Sequence, residues 1–475
     1  MSKSLTKTKL SAVIATALLV AGCATTSPRH ALPEVDYLAI EVISERLANQ
    51  TELPNTGAHW WQAMGDPALD QLVERALAAN HDLKAAALRV DAQLERLRVS
   101  RDQYRPQGGV AAQASSSRQQ PLGGGDAQRT EQLSAGLSAD WQLDLFGRIS
   151  ARVRQAQAST NNAQAAKAQV LADVVSGVVS AYSGLAGAEE QLAVLDQQLK
   201  LLDESVDVLQ FRVDEGLATS LELSRAKALQ YEFRAQKPAL VQQQNRYRET
   251  LAVLTGSRVQ GIVTGQTAGL LASANSMLWA IDKPVVALVK APSVLLATSN
   301  VASAFALTDE AQASLYPQVS IRGVLGVLNG GGLSLGDAQG QRLVQPTLRW
   351  SLLNFAALKA NLRAAKLEEQ AVLEAYEKQW LTVLNRADTA ISQWQSQQQR
   401  LTLLINRQRF AQDAHTQAKS RYEEGIIPYL DYLDAQRDLL SSESELVAAR
   451  TQLLARYTEL RRAFAGDWAN TLYDA

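Results

Sequence analysis

The chain has 475 residues, with 47 Lys plus Arg against 48 Asp plus Glu and a formal net charge of −1. So even a balance argues against a strongly basic, polyanion-binding surface, and nucleic acid is not an expected partner. Length alone would fit about three globular domains of roughly 150 residues, but long stretches rich in Ala, Gln, Leu and Arg and poor in Gly and Pro favour long helices instead.

Taken in chain order, residues 1–22 read as a signal peptide rather than part of a fold. Lys3, Lys7 and Lys9 form a basic start, and Leu10 to Ala21 an apolar run too short to span a bilayer. The run closes on LLVAGC, which holds Cys23, the only cysteine, so no internal disulfide can form. That word resembles the lipobox of bacterial lipoproteins. The resemblance implies acyl chains on Cys23, which anchor firmly when there are several, and Ala24 fits sorting to an outer membrane. Residues 23–60 then read as a linker and lipid anchor.

From 61 to 256 the order reads helix, two strands, long helix, turn, helix. Leu69, Leu72, Ala76, Ala79, Leu83, Ala87, Val90, Leu94 and Leu97 keep the three-four spacing of a coiled-coil seam. Val110, Ala112 and Ala114 mark a weak first strand at about 108–118. Residues 131–144 form a stronger one: Leu133, Ala135, Leu137, Ala139, Trp141 and Leu143 alternate with mostly polar neighbours over the length a tilted strand needs to cross a bilayer. PLGGGDAQ, between the two, suits an exposed turn. A helix over about 147–214 would run about 100 Å, with Ala188, Leu195, Leu202 and Leu209 on a sevenfold seam. The connecting segment 257–300 holds the most apolar later stretch, LWAIDKPVVALVKAPSVLLA. Asp282, Lys283, Pro284, Lys290 and Pro292 interrupt it, so no later transmembrane helix is expected.

Residues 301–464 repeat the first unit. Trp141 lies 209 positions before Trp350, and Arg212, Gly216 and Leu223 lie the same distance before Arg421, Gly425 and Tyr432. One offset at two distant places indicates a duplicated unit. YRP at 104–106 finds a counterpart in YPQ at 316–318 at a slightly different offset. The second strand pair is expected at about 318–328 (Val319, Ile321, Leu325, Val327) and 341–352 (Val344, Leu348, Trp350, Leu352), with a long helix at about 355–423 and a tail at 465–475. Its seam runs through Leu358, Leu362, Ala365, Val372, Tyr376, Trp380, Val383, Ala387, Ile391, Trp394, Leu401 and Ile405, and the return helix carries Leu433, Leu440, Val447 and Leu454. Four strands cannot close alone, and open edges are not tolerated in lipid. A membrane-spanning reading therefore requires several chains to share one barrel.

With WWQAMGDPALDQLVERALAANHDLKAAALRV, WQLDLFGR, the two tip turns and FAGDW in this order, the chain resembles the outer-membrane efflux protein family, the TolC-like channels, in its NodT-type lipoprotein branch. The resemblance spans nearly the whole mature chain. It implies a mainly α fold with transmembrane β: a homotrimer with a twelve-stranded barrel in the outer membrane and a periplasmic α-helical barrel. Such channels are exit ducts of tripartite pumps, working with a periplasmic adaptor and an inner-membrane transporter, here of the RND type, and passing drugs or other small solutes outward. Two words depart from the pattern. LLATSNVASAF stands where an Arg-Pro-Asp word is usual, and NFAALKAN replaces the second FD-GR word.

For the tips, FRVDEGLATSLELSRAKAL (211–229) and RYEEGIIPYLDYLDAQRDL (421–439), the glycines Gly216 and Gly425 fit helix stops needing positive φ. The resemblance adds adaptor contacts at Arg212, Gly216, Leu217, Arg421, Gly425 and Ile426. Asp431 and Asp434 share a helix face; the resemblance places them at the narrowest point of the tunnel, where three copies would present six carboxylates that attract cations. Tyr422 and Glu222 match positions in the closing network, whose usual tip arginine is replaced by Ile427. The bland alternative for the aspartates is a solvated helix face. Two rival functions remain at this point. A coiled-coil scaffold lipoprotein without a pore explains the helices but not the paired strands. An enzyme finds little support: His30, His59, His81 and His415 lack metal-ligand spacing, no nucleophile or phosphate-loop motif is present, and no cofactor is implied.

Overall fold

A computed structural model describes residues 57–120, 126–261, 268–273, 284–330, 332, 334, 336 and 338–469. Cys23 and the leader lie outside the described residues. The chain divides into two compact units, one of residues 89–163 and 296–377, the other of the described residues within 35–88, 164–295 and 378–475.

The first unit holds a four-stranded antiparallel sheet in the order β1 (Gln107–Gln119), β2 (Gln128–Leu143), β3 (Gln318–Asn329), β4 (Gln339–Arg349). Its register aligns the alternation of all four strands. Val110 faces Leu137, which faces Leu325; Ala112 faces Ala135, which faces Val327; Trp141 faces Ile321, which faces Pro346. One face of the sheet is therefore apolar. The other carries Ser134, Ser138 and Gln142, together with an ion pair in which Arg322 Nε donates to Asp140 Oδ1 at 3.1 Å. Leu133 to Leu143 covers about 33 Å along β2 at 3.3 Å per residue, close to a 25 Å band once tilted by about 40°. The outer edges of β1 and β4 pair with nothing among the described residues.

The duplication is visible atom by atom. Trp141 Nε1 donates to the Tyr104 carbonyl at 2.9 Å, and Trp350 Nε1 to the Leu315 carbonyl at 3.0 Å. Each acceptor lies three residues before a strand that starts on the glutamine of a Pro-Gln pair, Gln107 or Gln318. The true counterpart of YRP is thus shifted by one residue from YPQ: Pro106 and Gln107 correspond to Pro317 and Gln318. The fourth strand also stops earlier than its alternation suggests. The Leu352 amide donates to the Trp350 carbonyl and the Asn354 amide to that of Ser351, so the chain leaves the ladder and Leu352–Asn354 forms a 3-10 turn.

Helices α1 (Pro67–Ala79) and α2 (His81–Asp102) divide the apolar seam read as one helix. The break is buried Asn80. Its Oδ1 accepts from the Leu83 amide at 2.9 Å and its Nδ2 donates to the Leu254 carbonyl, capping α2 while fixing it to the end of a distant helix. Leu94 is partly exposed rather than in the seam. The long helix α3 (Arg148–Asp214) starts after Gly147 at φ 76°, with Asp144 accepting from the Ile149 and Ser150 amides at 2.8 and 2.9 Å. In the second repeat Leu353 takes the place of Asp144 and is fully exposed, so the loss of the FD-GR word removes a helix cap.

The second unit is helical. The sevenfold positions Ala188, Leu195, Leu202 and Leu209 of α3 are buried, as are Leu433, Leu440, Val447 and Leu454 of the return helix. A stretch of α3 is long and apolar enough to cross a membrane, which corrects the expectation that no later segment is; 78% of it is buried inside the protein, however, and Val174, Val175, Val178 and Val179 are all buried. Trp60, Trp61 and Trp468 are fully buried, Trp60 packs edge-on against Tyr457 and Trp468, and Asp66 caps α1 while accepting from the Tyr182 hydroxyl at 2.7 Å. Trp468 therefore belongs to the core, not to a tail beginning at 465.

Small residues set the helix spacing. A Cβ on Gly187 would lie 2.2 Å from Thr451 Oγ1 and 2.9 Å from Thr451 Cβ. Gly187→Ala should destabilise the protein by about 1–3 kcal/mol through overpacking, and adding Thr451→Gly, which removes every clashing atom, should recover part of the loss. Thermal melts followed by circular dichroism test this; equal melting of wild type and Gly187→Ala would contradict the close approach.

Candidate functional site

Two helix reversals form the tips of the second unit. The first joins α3 to α4 (Ser220–Arg234), which is followed by α5 (Lys237–Leu254); the short helices α6 (Ala268–Ser273) and α7 (Pro284–Val289) and the longer α8 (Pro292–Ala313) lead to β3; the second reversal joins α9 (Phe355–Glu423) to α10 (Tyr429–Ala463). Both long helices end in one geometry. The Leu217 amide reaches the Arg212 carbonyl at 2.7 Å and the Gly216 amide that of Val213 at 3.0 Å; Ile426 and Gly425 make the same bonds to Arg421 and Tyr422 at 2.8 and 3.0 Å. Gly216 and Gly425 take φ 73° and 75°. These are Schellman stops, and a side chain there would strain the turn.

Beyond the stops the repeats diverge. Thr219 caps α4 in a reciprocal capping box, its hydroxyl accepting from the Glu222 amide while Glu222 Oε2 accepts from the Thr219 amide at 2.7 Å. In the second tip the equivalent residues are Pro428 and Asp431. Pro428 offers no side-chain cap, so Asp431, unlike Glu222, is not drawn into a box. Asp431 and Asp434 are both exposed on α10. Among the described residues no cluster of three His, Asp or Glu suits a metal ion.

Behind the aspartates lies an aromatic cluster that the sequence reading missed apart from Tyr422. Tyr422 stacks on Tyr432 at 5.4 Å and 4°, Tyr429 packs edge-on against Tyr422 at 5.5 Å, and His415 lies 5.6 Å from Tyr432. Arg212 crosses from the other tip: its Nη1 donates to the Tyr422 hydroxyl at 2.8 Å and its guanidinium sits 5.1 Å from that ring. Burial pushes the phenols of Tyr422, Tyr429 and Tyr432 up, and lowers His415, beside which Lys419 acts in the same sense. The spacing of the three tyrosines over one turn-and-restart was the available signal. The outer tip is apolar and exposed at Phe211, Leu217, Leu221, Ile426 and Leu430, with Arg421 exposed alongside. Of the predicted residues, the structure brings Arg212 to Tyr422 and places Glu222 near that phenol.

A short apolar-faced sheet joined to very long helices that reverse at glycine-stopped tips defines a β-barrel channel with a helical extension. The family model described as outer membrane efflux protein matches residues 72–257 and 284–466, and the chain belongs to that family. It is 27% identical over 478 residues to a probable efflux pump outer membrane protein, TtgC, of Pseudomonas putida, covering 98% of this chain and 96% of TtgC. With the pyoverdine export outer membrane protein OpmQ of Pseudomonas aeruginosa it shares 26% over 435 residues, 86% of this chain and 87% of OpmQ. The solved outer-membrane channel OprN superposes with a TM-score of 0.84 at 28% identity, over 94% of this chain and 98% of OprN. The protein is an outer-membrane efflux channel, a transport duct and not an enzyme.

The lowered His415 makes a pH prediction. Its native state binds a proton less readily than the unfolded chain, so stability is full above the ordinary value of 6.5 and is lost as pH falls below it. Wild type should lose more melting temperature between neutral and mildly acid buffer than His415→Gln does. Parallel losses in the two proteins would contradict the assignment.

Proposed function

We propose that three copies of this chain close one twelve-stranded barrel and that their helices form a periplasmic tunnel whose tips dock to an adaptor. The observation that carries the trimer is the sheet itself: one apolar face, a height matched to a bilayer, and two edges unpaired among the described residues. Exposed Leu217 and Ile426 beside Arg212, Gly216, Arg421 and Gly425 suit the helical hairpins of a periplasmic adaptor, which links the duct to an RND-type inner-membrane transporter. Acyl chains on Cys23 would hold the mature chain at the outer membrane. The cargo is a small solute taken from the periplasm, in line with the efflux and pyoverdine-export names of the relatives.

The gate is formed by Asp431 and Asp434, six carboxylates in two rings in the trimer. Tyr422, held by Arg212, links the two tips of one copy, and Glu222 fixes the start of α4 beneath them. Ile427 in place of a tip arginine removes one ionic link, so this gate opens more readily than one that keeps it. Planar-bilayer recordings test the reading. Wild type should conduct with cation selectivity and be blocked by divalent cations, and Asp431→Asn with Asp434→Asn should weaken both severalfold. Unchanged selectivity would overturn the gate; absence of any conductance would favour the scaffold.

A further inference from the structure

The outward face of the sheet carries charge where it meets the loops. Arg118 of β1 is the register partner of Arg129 of β2, so two like charges stand directly opposite each other, an arrangement that destabilises a strand pair unless something lies between. Both fall in the alternation that continues the apolar face: Ala112, Ala114, Ser116, Arg118 on one strand and Leu133, Glu131, Arg129 on the other. Arg129 Nη2 donates to Glu131 Oε1 at 2.6 Å, while Arg118 has no ion pair among the described residues. A third guanidinium, exposed Arg342 of β4, faces Leu325 and so lies on the same apolar face. An arginine within such a band is costly unless its head reaches a partner.

The duplication supplies the relation between these residues across two copies. β1 residues correspond to β3 residues 211 later, and β2 residues to β4 residues 209 later; the same shifts turn the Gln107–Asp140 pair into the Gln318–Arg349 pair that is observed. The contact of β2 with β3 then predicts that of β4 with β1 of the next copy. Trp141 faces Ile321, so Trp350 faces Val110 of the next copy. Moving along both antiparallel strands, Val344 meets the next copy's Ser116 and Arg342 meets its Arg118.

We infer that each boundary between copies forms a three-arginine cradle, Arg342 of one chain beside Arg118 and Arg129 of the next, that binds the phosphate of an outer-leaflet phosphorylated lipid. The inference rests on the proposed closure into a barrel. Three guanidiniums against Glu131 leave a net excess of two positive charges at the rim of an apolar band. A lipid phosphate, its acyl chains lying on that band, fits both halves of the surface; a soluble anion fits only the charge.

The test uses full-length protein in phosphatidylcholine nanodiscs with or without diphosphoryl lipid A. Ser116→Cys with Val344→Cys should cross-link neighbouring copies, whereas Ala114→Cys with Val344→Cys should not, because a disulfide cannot reach the diagonal pair. Native mass spectrometry of released trimers should show retained diphosphoryl lipid A, lost about tenfold for each arginine replaced in Arg118→Gln, Arg129→Gln and Arg342→Gln. Dephosphorylated lipid A should not be retained, and inorganic phosphate in excess should not displace the lipid. Displacement by inorganic phosphate would overturn the lipid assignment. Cross-linked, conducting trimers in which wild type and the triple variant retain lipid equally would overturn the cradle alone. Monomers without cross-links would remove the closure and the cradle together.

Discussion

Backbone hydrogen bonding in a medium without water is the constraint on which the rest of the structure depends. Inside lipid every amide and carbonyl needs a partner from protein, so a sheet survives there only without edges. Here β2 and β3 pair with neighbours on both sides, while the outer edges of β1 and β4 pair with nothing among the described residues. The proposed closure of twelve strands from three copies would remove both edges. Two sequence features of the sheet suit that constraint: apolar residues that alternate onto one face, and glycines where neighbouring backbones touch. Gly136 and Gly326 face each other across β2 and β3, and a Cβ on either would meet backbone at 2.8 Å or less.

The helices obey a different economy of space. Their seams are narrow and rich in alanine, and contact is set by small residues such as Gly187 against Thr451 and Gly466 against the Ala287 carbonyl. Close approach on one stripe leaves the other faces polar and wet, as a wall around a water-filled tunnel requires. Stability is concentrated elsewhere, in the tryptophan-rich core of Trp60, Trp394 and Trp468, and at caps such as Asp66, Asn80 and Asp144. The missing cap at Leu353 marks the second repeat as the less firmly anchored start of a long helix.

The period-two and sevenfold patterns made the strands and the long helices legible, because both are dictated by which face is buried. The ends were less so. Trp350 continues the alternation of β4 but lies just past its last residue, and the Leu315 carbonyl that holds its indole is 35 positions away, a partner that no local pattern announces. Asn80 reads as one more polar residue between two apolar turns, and its bond to Leu254 is equally distant in sequence. At the tips the glycines and the aspartates were readable. The tyrosine cluster was signalled only by the spacing of Tyr422, Tyr429 and Tyr432, which meet after the chain reverses, and Glu222 by its capping-box spacing from Thr219.

Duplication gave both tips one stop, then let them diverge: a capping box holds Glu222 in the first, and Pro428 leaves Asp431 unboxed in the second. The two tips are therefore asymmetric: exposed Asp431 and Asp434 and the Tyr422–Tyr429–Tyr432 cluster belong to the second alone. All of it presupposes that copies pool their strands. The most direct measurement is the mass of the purified protein in mild detergent, by light scattering corrected for bound detergent. The account predicts three chains per particle; a stable, folded single chain would contradict it.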